Sequence, residues 1–221
     1  MDTKEIMAKV DHTLLIPTAT LAQILATADE AVEFSAASVC IPPCFVRALK
    51  AHVGAKMPVC TVIGFPNGYN TTAAKLVEAE AALADGADEL DMVVNLGNVK
   101  DGNMQAVENE ITAIKRTAGT KIVKVIVETC LLTEAEKRAL CVVVLSSGAD
   151  FIKTSTGFST GGATFEDIAL FRSCLPKGFG IKAAGGIQNL ADAEKFLALG
   201  ATRLGTSRIV KILQKQASEG Y

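Results

Sequence analysis

The chain has 221 residues, 49% hydrophobic and 21% charged, a balance that builds an ordinary folded core and argues against disorder as the main state. Its formal net charge of −2 and the lack of a Lys/Arg-rich tract argue against a broad basic face for nucleic acid or an anionic membrane. No apolar stretch approaches the roughly 18 residues that span a bilayer. The opening Met1-Asp2-Thr3-Lys4-Glu5 lacks the charged-then-apolar order of a secretion signal, so a cytoplasmic protein is expected.

In chain order, a first strand is expected at residues 10–14, followed by a helix capped by Thr20 that runs to about Phe34. Strands follow at Ser38–Ile41 and Val59–Ile63, and Asn70 to Thr72 cap an Ala-rich helix ending at Asp85. The fourth and fifth strands fall at 89–94 and 122–127, the latter followed by the capping box Thr133-Glu134-Ala135-Glu136. The sixth is Phe151–Lys153, before the similar Thr164-Phe165-Glu166-Asp167, and the last two lie at 180–183 and 203–205.

One phrase recurs: Gly86-Ala87-Asp88, Gly148-Ala149-Asp150 and Gly200-Ala201-Thr202 each close an Ala/Leu-rich helix and open a short apolar run. A left-handed helix end favours a residue without Cβ, and a buried parallel strand reads as a short apolar run. Strand starts spaced by about 21 to 33 residues predict an α/β chain folded as a (β/α)₈ barrel, one domain over residues 1–221. A doubly wound open sheet is weakened by the absence of a Gly-x-Gly-x-x-Gly turn after the first strand.

Barrel enzymes set their reactive groups at the C-terminal ends of strands. There the sequence places Asp91, Lys124 with Glu128 on the same face, Lys153 and Lys182. Lysine is rarely buried without a partner, so three in consecutive strands beside a carboxylate point to chemistry. Crowded ammonium groups are expected to depress one another's pKa and supply a neutral amine that attacks a carbonyl, with Asp91 moving protons. These physical grounds do not choose Lys153 over Lys182. The glycine-bearing loops Gly185-Gly186 and Gly205-Thr206-Ser207, after strands seven and eight, occupy the usual barrel phosphate position, and Thr156-Gly157 adds a polar edge.

Asp91 in Glu89-Leu90-Asp91-Met92-Val93-Val94-Asn95, Lys153 in Phe151-Ile152-Lys153-Thr154-Ser155-Thr156-Gly157-Phe158 and Lys182 in Gly180-Ile181-Lys182-Ala183-Ala184-Gly185-Gly186-Ile187 carry a family resemblance. With Asp11-His12-Thr13, Val62-Ile63-Gly64-Phe65-Pro66-Asn67-Gly68, Lys124-Val125-Ile126-Val127-Glu128-Thr129 and Arg203-Leu204-Gly205-Thr206-Ser207, the chain resembles the deoxyribose-phosphate aldolases over nearly its whole length. The resemblance implies a metal-independent lyase without a cofactor. Such an enzyme reversibly cleaves 2-deoxy-D-ribose 5-phosphate to D-glyceraldehyde 3-phosphate and acetaldehyde in deoxyribose phosphate catabolism. It also implies that Lys153 forms the Schiff base, that Asp91 and Lys182 transfer protons with Lys124 in support, and that a homodimer is possible. Some members carry Lys and Ser where this chain has Phe158 and Arg208, which leaves the phosphate contacts open; some use a C-terminal tyrosine in proton transfer, but Tyr221 is expected to sit on an uninvolved tail.

The remaining candidates carry plainer expectations. His12 is expected to be a hydrogen-bonded structural histidine and His52 a solvated one; Asn95 either orients substrate or caps the next turn. The 65–68 segment reads as a loop. The six cysteines form no Cys-x-x-Cys pair and read as reduced core thiols, Cys40 alone having a prospect of facing a pocket. Two histidines without metal-ligand spacing predict no metal site.

Overall fold

The recurring phrase is a helix stop coupled to a strand clamp. At Gly86 (φ +103°) and Gly200 (φ +112°) the backbone is left-handed, where a Cβ is strained. The following N–H reaches back to complete a helix-end motif, Ala87 to the Ala82 carbonyl and Ala201 to the Phe196 carbonyl, each at 3.0 Å. The third residue then grips the preceding strand. Asp88 accepts from Val59 N at 3.1 Å, Asp150 from Val123 N at 2.8 Å and Thr202 from Ile181 N at 3.1 Å. A short side chain with an oxygen acceptor is what this position needs, which is why Asp and Thr alternate there.

The computed structural model describes residues 1–219. The strands are β1 (Val10–Thr13), β2 (Ser38–Ile41), β3 (Val59–Ile63), β4 (Glu89–Val93), β5 (Ile122–Ile126), β6 (Phe151–Lys153), β7 (Gly180–Ala184) and β8 (Arg203–Thr206). All pair in parallel in sequence order, and β8 closes on β1 to complete an eight-stranded barrel. The helices are α1 (Thr3–Met7), α2 (Leu21–Glu33), α3 (Val46–Val53), α4 (Thr72–Ala84), α5 (Leu96–Lys100), α6 (Met104–Ala118), α7 (Glu134–Ser146), α8 (Phe165–Cys174), α9 (Leu190–Ala198) and α10 (Arg208–Glu219). The expected (β/α)₈ barrel is the observed fold, with strand ends displaced by at most one residue. The five-residue α1 and α5 went unanticipated because one helical turn carries no periodic signal. No helix among the described residues is long and apolar enough to cross a membrane.

Alternation along the strands decides what holds this barrel together. Outward residues such as Val39, Leu90, Met92, Val125, Ile152 and Leu204 are fully buried against the helix layer. Each such side chain stabilises the fold by roughly 1.5–3 kcal/mol. The inward face carries seven charged residues and only a small apolar cluster around Cys40, Cys60 and Val62, so most of the apolar burial lies in the shell between strands and helices.

A second buried charge lies in that shell. Lys75 of α4 is fully buried, and its Nζ donates to the Val93 carbonyl and to Glu110 Oε2 of α6, each at 2.8 Å. Lys75→Met leaves Glu110 as an uncompensated buried carboxylate. We expect a loss of about 3–5 kcal/mol, and a fall in Tm on the order of 10 °C by calorimetry. A Lys75→Met/Glu110→Leu pair should recover most of it; a double variant no better than the single would contradict this account.

Candidate active site

Because side chains alternate, one face of each strand points into the barrel. The inward face includes Asp11 and Thr13 on β1, Ser38 and Cys40 on β2, Cys60 and Val62 on β3, Glu89 and Asp91 on β4, Lys124 and Ile126 on β5, Lys153 on β6, Lys182 on β7 and Arg203 on β8. Four cations therefore face three carboxylates in one largely buried interior. Asp91 is the hub. Its Oδ2 accepts from Lys153 Nζ and Lys182 Nζ, each at 2.7 Å, and its Oδ1 accepts from Lys124 Nζ at 2.8 Å and Cys60 Sγ at 3.2 Å. Below it, Lys124 reaches Glu89 at 2.5 Å and Asp11 at 3.5 Å, while Lys182 makes a close contact with Asp11. Arg203 closes the network on Asp11 at 2.5 Å and Glu89 at 3.1 Å, and Ser38 donates to Asp11 at 2.7 Å.

The interleaving reverses an expectation from the sequence. Burial alone would raise the Asp91 carboxyl, but the ammonium groups of Lys124, Lys153 and Lys182 hold it well below the usual range. Burial alone would lower Lys124 and Lys182, but Asp11 and Asp91 push both above the ordinary lysine value. Mutual depression by crowded lysines is not what Lys124 and Lys182 experience. Asp11 and Glu89 went unread as charge partners, although Glu89-Leu90-Asp91 spacing and the polar Asp11 in a strand were signals that both face inward.

Above this network opens a cavity of about 430 Å³ at the C-terminal face. Lys153 lines it, and so do Gly157, Gly185, Gly186, Gly205 and Ser207, the glycine-loop residues expected to meet a phosphate. Asp91, Lys124 and Lys182 lie beneath the cavity rather than on its wall. Lys153 is therefore the only one of the three strand lysines that reaches it. Phe158 and Arg208 also line the cavity. Gly205 has a further reason to lack a side chain: a Cβ there would stand 3.1 Å from Lys182 Cε. Gly162, which the sequence did not single out, packs against the Gly185-Gly186 turn, where a Cβ would come within 2.7 Å of backbone.

The lesser candidates resolve by contact. His12 Nε2 pairs with Glu30 at 2.8 Å on the outer side of β1, as a structural histidine should, and His52, partly exposed, pairs with Asp29 at 2.7 Å. Asn95 caps α5, accepting from Asn98 N at 3.3 Å. The expectation of core thiols holds for Cys40, Cys60 and Cys141, whereas Cys44 and Cys130 are exposed and Cys174 is half-buried. Cys40 points into the barrel beside Cys60 and Val62, beneath the cavity and not on its wall. Closure of the barrel also groups Cys40, Cys60 and Asp91, and Asp11, Cys60 and Glu89, at metal-ligand distances. The chain's own lysines and Arg203 already occupy those carboxylates, and their charge opposes a further cation there. Tyr221 lies outside the described residues.

A family model for DeoC/LacD family aldolases matches residues 5–209. The chain belongs to the DeoC/LacD aldolase family. A deoxyribose-phosphate aldolase of Streptococcus agalactiae serotype Ia is 56% identical over 219 residues, 99% of this chain and 98% of that protein. One from Streptococcus pyogenes serotype M4 is 55% identical over the same shares. Among solved structures, the deoxyribose phosphate aldolase of Aeropyrum pernix, described as a unique tetramer, superposes with a TM-score of 0.90 at 32% identity, covering 99% of this chain and 93% of that one. The aldolase QR15 gives 0.91 at 36% identity, with 97% of each chain covered. In this DeoC/LacD family aldolase the matched segment spans every strand, hence the whole interior charge network and the glycine loops above it.

Proposed function

We propose that this enzyme is a Schiff-base aldolase that reversibly cleaves 2-deoxy-D-ribose 5-phosphate to D-glyceraldehyde 3-phosphate and acetaldehyde. The observation that carries the reading is the position of Lys153. It lines the cavity, its Nζ is 2.7 Å from Asp91, and that same carboxylate oxygen is 2.7 Å from Lys182. The relatives named as deoxyribose-phosphate aldolases, 56% identical across 99% of the chain, supply the substrate.

The interior holds one more cation than carboxylates, and Lys153 has one carboxylate partner where Lys182 has two. The step needs Lys153 as the neutral amine, the form that attacks a carbonyl. Its nitrogen adds to C1 of the open-chain sugar and water leaves, giving an iminium. Asp91, through Lys182 or a water, accepts the proton of the C3 hydroxyl. The C2–C3 electron pair moves onto the iminium nitrogen, the bond breaks, and glyceraldehyde 3-phosphate departs from an enamine. Protonation at C2 and hydrolysis return acetaldehyde and free Lys153. Lys124 supports the step by holding Asp91 charged. Gly157, Gly185, Gly186, Gly205 and Ser207 bind the phosphate, and this remote contact orients C1 over the amine. The residues call for no metal or organic cofactor.

Borohydride reduction in the presence of 2-deoxyribose 5-phosphate, followed by peptide mass spectrometry, tests the reading. A reduced adduct on Lys153 is expected; an adduct on Lys182 reverses the lysine roles, and none at all rejects the mechanism. The proposal includes action in the cytoplasm and assembly as a homodimer. Sedimentation velocity showing only a monomer would remove the dimer.

A further inference from the structure

Glu128 is a buried carboxylate at the barrel mouth that the proposed chemistry leaves unused. It follows β5 with φ 53° and ψ 66°, a left-handed conformation that residues bearing a Cβ seldom adopt and that recurs at functional sites. Its two oxygens accept from Thr156 N at 3.2 and 3.3 Å, and one makes a closer contact with Thr156 Oγ1. That hydroxyl, its proton given to Glu128, accepts from Phe158 N at 3.0 Å. One carboxylate thereby fixes the backbone on both sides of Gly157, itself left-handed at φ +84°.

The segment is tied from the other flank as well. Thr154 N donates to the Lys182 carbonyl at 3.1 Å, and Thr154 Oγ1 accepts from Ala184 N at 3.1 Å. The chain leaving Lys153 is therefore clamped between β7 and the end of β5. Thr156, Gly157 and Phe158 then form a wall of the 430 Å³ cavity, while Glu128 faces a separate cavity of about 290 Å³ behind that wall. Glu128 does not line the larger cavity and so acts through the wall, not on the substrate.

We infer that Glu128 is a positioning residue: its carboxylate holds residues 156–158 as the wall against which the phosphorylated end of the sugar is bound. This rests on the aldolase reading above. A carboxylate suits the task because both donors, an N–H and an O–H, need acceptors. Glutamine offers one acceptor and turns an NH₂ toward the other donor.

The test is steady-state cleavage of 2-deoxyribose 5-phosphate and of unphosphorylated 2-deoxyribose by the wild type, Glu128→Gln, Glu128→Ala and Glu128→Gly. Borohydride trapping with acetaldehyde runs in parallel. For the phosphorylated sugar, kcat/KM should fall about tenfold in Glu128→Gln and on the order of a hundredfold in Glu128→Ala, chiefly through KM. The unphosphorylated sugar and the trapping yield should change by less than about threefold, because neither draws on the phosphate. Glu128→Gly relieves the left-handed backbone without restoring the carboxylate and should match Glu128→Ala. Equal losses on both sugars overturn the inference in favour of a general structural role, and wild-type discrimination in Glu128→Gly overturns it in favour of the backbone alone. The near-isosteric Glu128→Gln keeps the test decisive if the alanine variant misfolds. An adduct in the wild type with unchanged discrimination in the variants sinks this inference only; no wild-type adduct sinks the aldolase reading with it.

Discussion

Lys153→Met abolishes turnover, lowering kcat by on the order of 10⁴ or more, because among the described residues no other amine reaches the cavity to form the covalent intermediate. Lys182 is fully buried and bonded to Asp11 and Asp91, and Lys124 lies as deep among Glu89, Asp91 and Asp11. Methionine fills much of the space of the lysine stem. The loss of one cation leaves three cations against three carboxylates, so the barrel should fold with a near wild-type urea midpoint. Assays of sugar cleavage and of borohydride trapping on the same preparation check the result. Residual activity within a hundredfold of wild type, in a folded variant, would falsify the assignment of Lys153.

Asp91→Asn should damage both chemistry and stability. Loss of the proton acceptor slows kcat by roughly 10²–10⁴. The same change removes the charge shared by Lys124, Lys153 and Lys182, and breaking one side of a buried ion pair costs about 3–5 kcal/mol. Against a typical total of about 5–15 kcal/mol the variant stays folded at neutral pH, with a clearly lower urea midpoint. The pH dependence separates the effects. A carboxyl held below its ordinary 3.8 in the folded state stabilises above that value, and the stabilisation is lost as pH falls toward the folded-state value. The wild-type midpoint should therefore fall steeply below about pH 4, and the Asp91→Asn curve should be flatter there, with Asp11 providing the remaining slope. A variant that keeps both the wild-type midpoint and the wild-type acid slope would mean that Asp91 does not neutralise the lysines.

The sequence by itself determined the barrel and its register of elements. A buried parallel strand between two helices has a short-range signature: Gly where the helix must turn left-handed, an apolar run at once afterwards, and capping residues such as Thr20 and Thr133 before the next helix. Those signals are local, so eight strands were legible to within a residue. The motifs around Asp91, Lys153 and Lys182, and the glycine loops, were legible for the same reason.

What only the tertiary structure decided is set by closure. Asp11 on β1 and Arg203 on β8 meet across the seam at which the barrel closes, 192 residues apart in the chain, and no window of sequence holds both. Without Asp11 and Glu89 in view, three strand lysines read as mutually repelling; with them, Lys124 and Lys182 are held charged, against the sequence expectation. Depth decided the rest. Lys153 and Lys182 sit at the same register level on neighbouring strands, yet one lines the cavity and the other lies beneath it. Burial depends on the packing of the whole barrel, and a sequence motif carries no measure of it.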